Sequence, residues 1–152
     1  MKKFLDDIIS YISQRFGGDL LFKRVSINEA YDENVQLKPP HIFVQIIDDS
    51  QAQEYDTLDG ECISFVPIQI SVYGQQTKAF FTTYSAKEYT NALADEVKKL
   101  FTPQAATSWN PNIKLIRRVG GTPSMPTQNG TTTYFSPIRY NIYIDSEYKS
   151  LK

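Results

Sequence analysis

Apolar and polar residues alternate along two stretches of this chain that stand seventy positions apart. Phe65-Val66-Pro67-Ile68-Gln69-Ile70-Ser71-Val72-Tyr73 aligns without gaps on Phe135-Ser136-Pro137-Ile138-Arg139-Tyr140-Asn141-Ile142-Tyr143, with Phe, Pro, Ile and Tyr at matching places. A period of two is that of a β-strand with one buried face. Ile68, Ile70 and Val72 point one way, Gln69 and Ser71 the other. Ile138, Tyr140, Ile142 and Ile144 likewise oppose Arg139 and Asn141. A proline cannot donate a ladder hydrogen bond, so Pro67 and Pro137 mark an edge, a bulge or a strand start. A helix is predicted after the first copy and nothing comparable after the second, which argues against duplicated half-domains. Both copies are read as strands with a buried Ile face and a bend at Pro that aims the preceding loop outward.

Elsewhere the pattern changes period. Phe4, Leu5, Ile8, Ile9, Ile12 and Phe16 recur at helical spacing, and Gly17-Gly18 ends that helix at a left-handed cap. Leu20–Ile27 reads as a short strand and 29–40 as a loop ending in Pro39-Pro40. His41–Ile47 is a strand, with Ile42, Val44 and Ile46 alternating against His41, Phe43 and Gln45. Residues 48–60 form a long acidic connection carrying Asp48, Asp49, Glu54, Asp56 and Asp59. Ser85-Ala86-Lys87-Glu88 is a capping box; the helix it opens has the stripe Tyr89, Leu93, Val97 and Leu100, and stops at Phe101 before Thr102-Pro103. Ile113–Val119 is a further strand. A loop rich in Gly, Pro, Ser and Thr spans 120–132, long enough to be functional or disordered. The glycines all fall at element borders.

These elements predict one α+β domain over 1–146, followed by a polar tail, 147–152. Its mixed or antiparallel sheet has about four to five strands, packed by two main helices and joined by long loops. A length of 152 residues supports one core without staples. Net charge is −1 and pI about 5.8, so no global field draws the chain to nucleic acid or an anionic membrane. The aromatic fraction of 13% favours strands and contact surfaces. A single cysteine, Cys62, precludes an internal disulfide framework and suits a reducing compartment. Met1-Lys2-Lys3-Phe4 starts like a signal peptide, but Asp6 and Asp7 interrupt any apolar region. No apolar run reaches the ~18 residues of a membrane span.

Chemistry-bearing motifs are not found. His41 has no second His or Cys with which to form a zinc site. Cys62 would need His41 as activator, and reads instead as a small buried hydrophobe. Asp56-Thr57-Leu58-Asp59-Gly60-Glu61 lacks calcium-loop spacing. Gly120-Gly121-Thr122 precedes Pro123 rather than a helix, so it is no phosphate cradle. Neither an enzyme nor a cofactor is expected. Three features suggest contact surface, each with two readings open. Phe80-Phe81 is either a plug holding its own loop to the core or an intermolecular anchor. Arg117-Arg118 is either a solvated edge that blocks aggregation or a match for the acidic 48–60 loop of a neighbouring subunit. The loops 48–60 and 120–132, the latter containing Met125, are expected to project from one end of the sheet as a paired surface.

The order of elements resembles that of the tail terminator, or neck and tail-completion, proteins of tailed bacteriophages of the lambda type. The resemblance covers roughly positions 1 to 145. It rests on the N-terminal amphipathic helix, Pro39-Pro40-His41-Ile42-Phe43-Val44-Gln45-Ile46, the acidic loop, and Ile68-Gln69-Ile70-Ser71-Val72-Tyr73-Gly74. It continues through Ala92, Asp95, Glu96, Val97, Lys98 and Leu100, then Ile116-Arg117-Arg118-Val119, and the final Arg139-Tyr140-Asn141-Ile142-Tyr143-Ile144. It implies an α+β subunit of a ring, a hexamer, seated on the tail-tube protein and facing the head-completion or connector protein. Such a ring ends tube growth, joins tail to head, and resides in the virion after assembly in the bacterial cytoplasm. It implies no catalytic residues, no membrane and no sequence-specific nucleic acid. Another phage connector protein, a monomeric binding module, or an RNA-binding sheet using Tyr73 and Tyr143 are the other readings.

Overall fold

The computed structural model describes residues 2–16, 25–29, 40–47, 54–56, 62–79, 81–121, 123–127 and 130–149. In chain order these give α1 (Lys2–Phe16), β1 (Ser26–Glu29), β2 (His41–Ile46), β3 (Glu54–Asp56), β4 (Cys62–Gln75), β5 (Thr77–Ala79) and β6 (Thr82–Tyr84). There follow α2 (Ala86–Leu100), α3 (Pro103–Trp109), β7 (Ile113–Gly121), β8 (Met125–Thr127), β9 (Gly130–Asp145) and α4 (Ser146–Lys149). One mixed sheet runs β1-β2-β4-β9-β7, with β3 added to β4 and β8 to β9; β5 and β6 form a separate hairpin. Among the described strands only β1 and β2 pair in parallel. The predicted α+β class is the one observed.

The two matching stretches turn out to be each other's partners. β4 and β9 pair antiparallel with Gln69 opposite Arg139, and Arg139 Nε donates to Gln69 Oε1 at 3.1 Å. A repeat paired antiparallel about its own midpoint has a local two-fold. The Phe of each copy then faces the Tyr of the other. Phe65 lies 5.3 Å from Tyr143 and Phe135 lies 5.7 Å from Tyr73, measured between ring centroids. The prolines obey the same symmetry. The Pro67 carbonyl accepts from the Ile47 amide, so its ring nitrogen faces the β2 side, between the stretch paired with β2 and that paired with β3. Pro137 sits in the corresponding gap between β7 and β8. Each missing N–H falls where the flanking strand changes, so neither ladder loses a bond. Two interior strands tolerate Pro for this reason, and no bend away from the sheet is involved.

All helices pack on one face. The even row Val66, Ile68, Ile70 and Val72 of β4 and Ile138, Tyr140, Ile142 and Ile144 of β9 is buried with Ile42 and Val44 of β2. The same cluster contains Phe4, Ile8 and Ile12 of α1, Tyr89, Leu93 and Val97 of α2, Ala106 of α3 and Tyr148 of α4. Half of the capping box forms: Ser85 Oγ accepts from the Glu88 amide at 3.2 Å, whereas Glu88 Oε1 accepts from the Ser85 hydroxyl at 3.1 Å instead of from the Ser85 backbone amide. Thr102-Pro103, read as a stop, also starts α3, with Thr102 Oγ1 accepting from the Ala105 amide and Pro at the first helical turn. Trp109 at the end of α3 stacks on Tyr11 of α1 at 4.2 Å, and the Tyr11 hydroxyl donates to the Leu100 carbonyl at 2.9 Å.

Three further expectations are corrected. The tail predicted from 147 is part of the domain as far as Lys149: α4 packs on it, with Tyr148 buried and meeting Phe4 edge-on at 5.9 Å. Gly74 lies inside β4 rather than at a border, at the point where α2 crosses the sheet. Part of the loop 120–132 is strand: β7 runs through Gly121, and β8 pairs back on β9.

A charged clasp joins the two long helices. Arg15 Nη2 of α1 reaches Glu96 Oε2 of α2 at 2.6 Å, and Lys99 Nζ reaches Glu96 Oε1 at 3.0 Å. The Lys99 hydrogen bond, with that of Arg15, holds the Glu96 carboxyl below its ordinary pKa against the opposing effect of burial. A lowered carboxyl pKa gives stability that is present above the unfolded-state value and lost as pH falls through the folded-state value. Acid titration of the wild type is therefore expected to lose this contribution below about pH 4.5. Glu96→Gln removes that part of the pH dependence and costs about 1 kcal/mol at neutral pH in urea unfolding.

Candidate functional site

Backbone parity dictates a second face on the sheet. The odd row of β4 and β9 points away from the helices, and it carries Phe65, Gln69 and Tyr73 beside Phe135, Arg139 and Tyr143. His41, Phe43 and Gln45 of β2 continue the row on one side, Leu115 and Arg117 of β7 on the other. Among the described residues no helix lies against this face, because the buried residues of all four helices belong to the opposite cluster. Its aromatics shield one another. Phe43 stacks on His41 at 4.1 Å and meets Tyr73 edge-on at 5.8 Å, while Tyr73 stacks on Phe135. Burial raises the Tyr73 pKa and lowers that of His41. The centre is polar, with Gln69 Nε2 donating to Ser71 Oγ at 2.9 Å beside the exposed Arg139.

The candidate residues fall at different places around this sheet. Met125 pairs with Phe135, at the end where β4 runs into the β5–β6 hairpin. Phe81 occupies the turn of that hairpin; it is fully exposed, with φ of 67°. A bulky residue in the left-handed region is a strained outlier, and a Phe with its whole side chain in water gains nothing for the fold. The plug reading therefore fails for Phe81, while Phe80 lies outside the described residues. Arg117 and Arg118 are both exposed on β7, and their side chains make no ion pair or hydrogen bond among the described residues. Glu54 and Asp56 stand on β3; Asp48, Asp49 and Asp59 lie outside the described residues.

The expected convergence of the two long loops at one end is overturned by the register. β3 pairs with Cys62–Ser64 and β8 with Phe135 and Tyr134, which face Tyr73 and Gly74. They stand roughly 35 Å apart along the β4–β9 pair, at 3.3 Å per residue. The same distance separates Cys62 from His41, which pairs with Tyr73, so no Cys–His dyad forms. Cys62 is half-buried rather than buried, and Ser146 Oγ donates to its Sγ at 3.2 Å.

Two open grooves flank α2. One, of about 600 Å³, lies between α2 and β7 and is lined by Asn91, Asp95, Lys98, Arg118, Gly121 and Ser136. The other, of about 830 Å³, lies at the foot of the hairpin beside Gln75, Thr83, Ser85, Lys87 and Glu88. Their linings are mixed and solvated, without a convergent set of perturbed groups. Among the described residues no three of His, Cys, Asp and Glu gather where they could hold a metal ion, and no helix is long and apolar enough to cross a membrane. The chemistry this surface offers is contact: an aromatic tip, an aromatic-ended sheet face and two unequal edges. No protein-family model matches the chain, and no curated protein matches it significantly.

Proposed function

We propose that this chain is a structural virion protein of a tailed bacteriophage, a terminator that forms a ring on the end of the tail tube. The ring would stop tube polymerisation and present a second face to the head-completion protein. Its mechanism is steric: occupying the tube end removes the template for the next ring. The observation that carries an assembly role is Phe81, a fully exposed aromatic held in a strained backbone conformation at a hairpin tip. Strain retained without a packing return belongs to sites selected for something other than stability, and a rigidly presented aromatic is a typical interface anchor. The order of elements supports the terminator reading in particular.

Light scattering and negative-stain microscopy, alone and with the tail-tube protein of the same genome, test it. A mass several times 17.4 kDa and closed rings are expected. A strict monomer at high concentration that also fails to form rings with tube protein overturns the reading. Phe81→Gly relieves the positive φ, so thermal stability should stay within about 1 kcal/mol or rise, while binding to the tube end falls at least about tenfold.

The aromatic sheet face favours one other reading, a monomeric module that stacks single-stranded RNA on Tyr73 and Tyr143 around Arg139. A net charge of −1 counts against it. Salt-sensitive binding of unstructured RNA to a monomer would select it.

A further inference from the structure

Among the described strands, two at opposite sides of the sheet have sequences of opposite charge. At one end the strands run β3-β4-β9-β7, with Glu54 opposite Ser64, Ser64 opposite Ile144, and Ile144 opposite Ile113. Among the described strands β3 is thus one edge and β7 the other, about 14 Å apart across three strand spacings. The sequence of β3 is Glu54-Tyr55-Asp56, two acids in three residues. β7 carries Arg117 and Arg118, both exposed and without ion pairs among the described residues, flanked by Leu115 at 53% and Val119 at 49% exposure. Exposed apolar residues around arginines are the composition of an interface core.

Backbone geometry agrees. Residues of an antiparallel pair alternately face and turn from their partner. The Pro67 carbonyl faces β2, so Pro67 and Asn141 form a pair without mutual hydrogen bonds, and Asn141 bonds Arg117 on its other side. Ile116 and Arg118 then present their amides and carbonyls outward from β7. Among the described residues no strand pairs with that edge. Bulges at 113–115 and 118–120 bound the regular stretch between them. A bulged, charged edge is protected against indiscriminate pairing and suited to one chosen partner.

We infer that β7 of one copy of this chain docks on β3 of the next, head to tail. Resting on the ring reading, the inference names the surfaces that would close the ring. Self-pairing of β7 would set four arginines face to face, which like-charge repulsion opposes. The acidic sequence of β3 in a second copy instead offers charge of the opposite sign. A contact between two different edges of one subunit is heterologous, and repeats until it closes as a ring or runs on as a filament.

The test is charge reversal read by light scattering, with circular dichroism as the check on folding. Arg117→Glu/Arg118→Glu is expected to raise the concentration needed for assembly at least about tenfold. Glu54→Lys/Asp56→Lys should do the same. The chain bearing all four changes should assemble again, and so should an equimolar mixture of the two double variants. Should a variant fail to fold, the wild type decides: raising salt well beyond physiological strength should dissociate it, and indifference to salt overturns the pairing. Rings that either double variant still forms at the wild-type concentration, or a fourfold variant that stays monomeric, overturn the edge pairing alone. A wild type that is monomeric under all conditions overturns the ring itself.

Discussion

Replacing Tyr148 by Ala is expected to cost about 3–5 kcal/mol, measured by urea unfolding, although the residue lies in a segment that reads as a polar tail. Tyr148 is 5% exposed and packs edge-on against Phe4. Its hydroxyl donates to Asp7 Oδ2 and accepts from Asn110 Nδ2 at 3.0 Å. One side chain therefore joins α4, α1 and the turn before β7. Burial and the Asp7 hydrogen bond together raise its pKa, so it stays neutral at all ordinary pH values. Tyr148→Phe separates the two contributions. The ring stays, but the buried Asn110 amide loses its partner, and an unsatisfied buried donor costs about 1–3 kcal/mol. If the segment were a solvated tail, neither change would move the unfolding midpoint.

Gly74→Ala is the second large effect, expected at about 2–3 kcal/mol destabilising. A Cβ at this position would lie 2.9 Å from Tyr89 Cδ1 and 3.3 Å from Thr90 Cα, and would collide with Thr90 Oγ1. Thr90 is wholly buried on α2, and its hydroxyl donates to the Ala86 carbonyl at 2.7 Å. The helix backbone is itself in the way, so rotating one side chain gives no relief. Repair requires α2 to shift from β4 and β9, against which it packs. Combining Gly74→Ala with Thr90→Ala is expected to recover part of the loss, because the worst collision goes while the close approach to the helix backbone stays. Full additivity of the two changes would show that the glycine is not there for helix approach.

The parts legible in the sequence are those whose signal is local. The alternation of β4 and β9, the stripe of α1 and the capping box of α2 each contain their own evidence within a few residues. What escaped depends on partners remote in the chain. The resemblance of Phe65–Tyr73 to Phe135–Tyr143 was visible, but not that the copies pair with each other; only the register places Gln69 on Arg139. β3 and β8, of three residues each, take strand form from the long strands beside them rather than from propensity. Thr102-Pro103 marks both the end of one helix and the start of another. Gly74 resembled punctuation because the helix it admits is distant from any strand pattern. Of the candidate surface, Phe81 and the Arg117-Arg118 pair were singled out in the sequence, but whether Phe81 plugs the core or stands in water is decided only by its place at the hairpin turn. The aromatic face was not singled out, since its Phe and Tyr residues are as apolar as core positions and only parity sorts them.

The pairing of β4 with β9 also governs when this molecule can exist. Its central hydrogen bond spans 70 residues, and β7 is held in the sheet only through β9. During synthesis the buried row of β4 emerges long before its partner, and sheets closed by such distant contacts form slowly. The arginine edge gains its place only after Arg139 and the residues beyond have joined. A chain stopped before β9 would therefore hold no ordered β7 edge. Synthesis of β9 becomes a condition for that edge, enforced by topology alone.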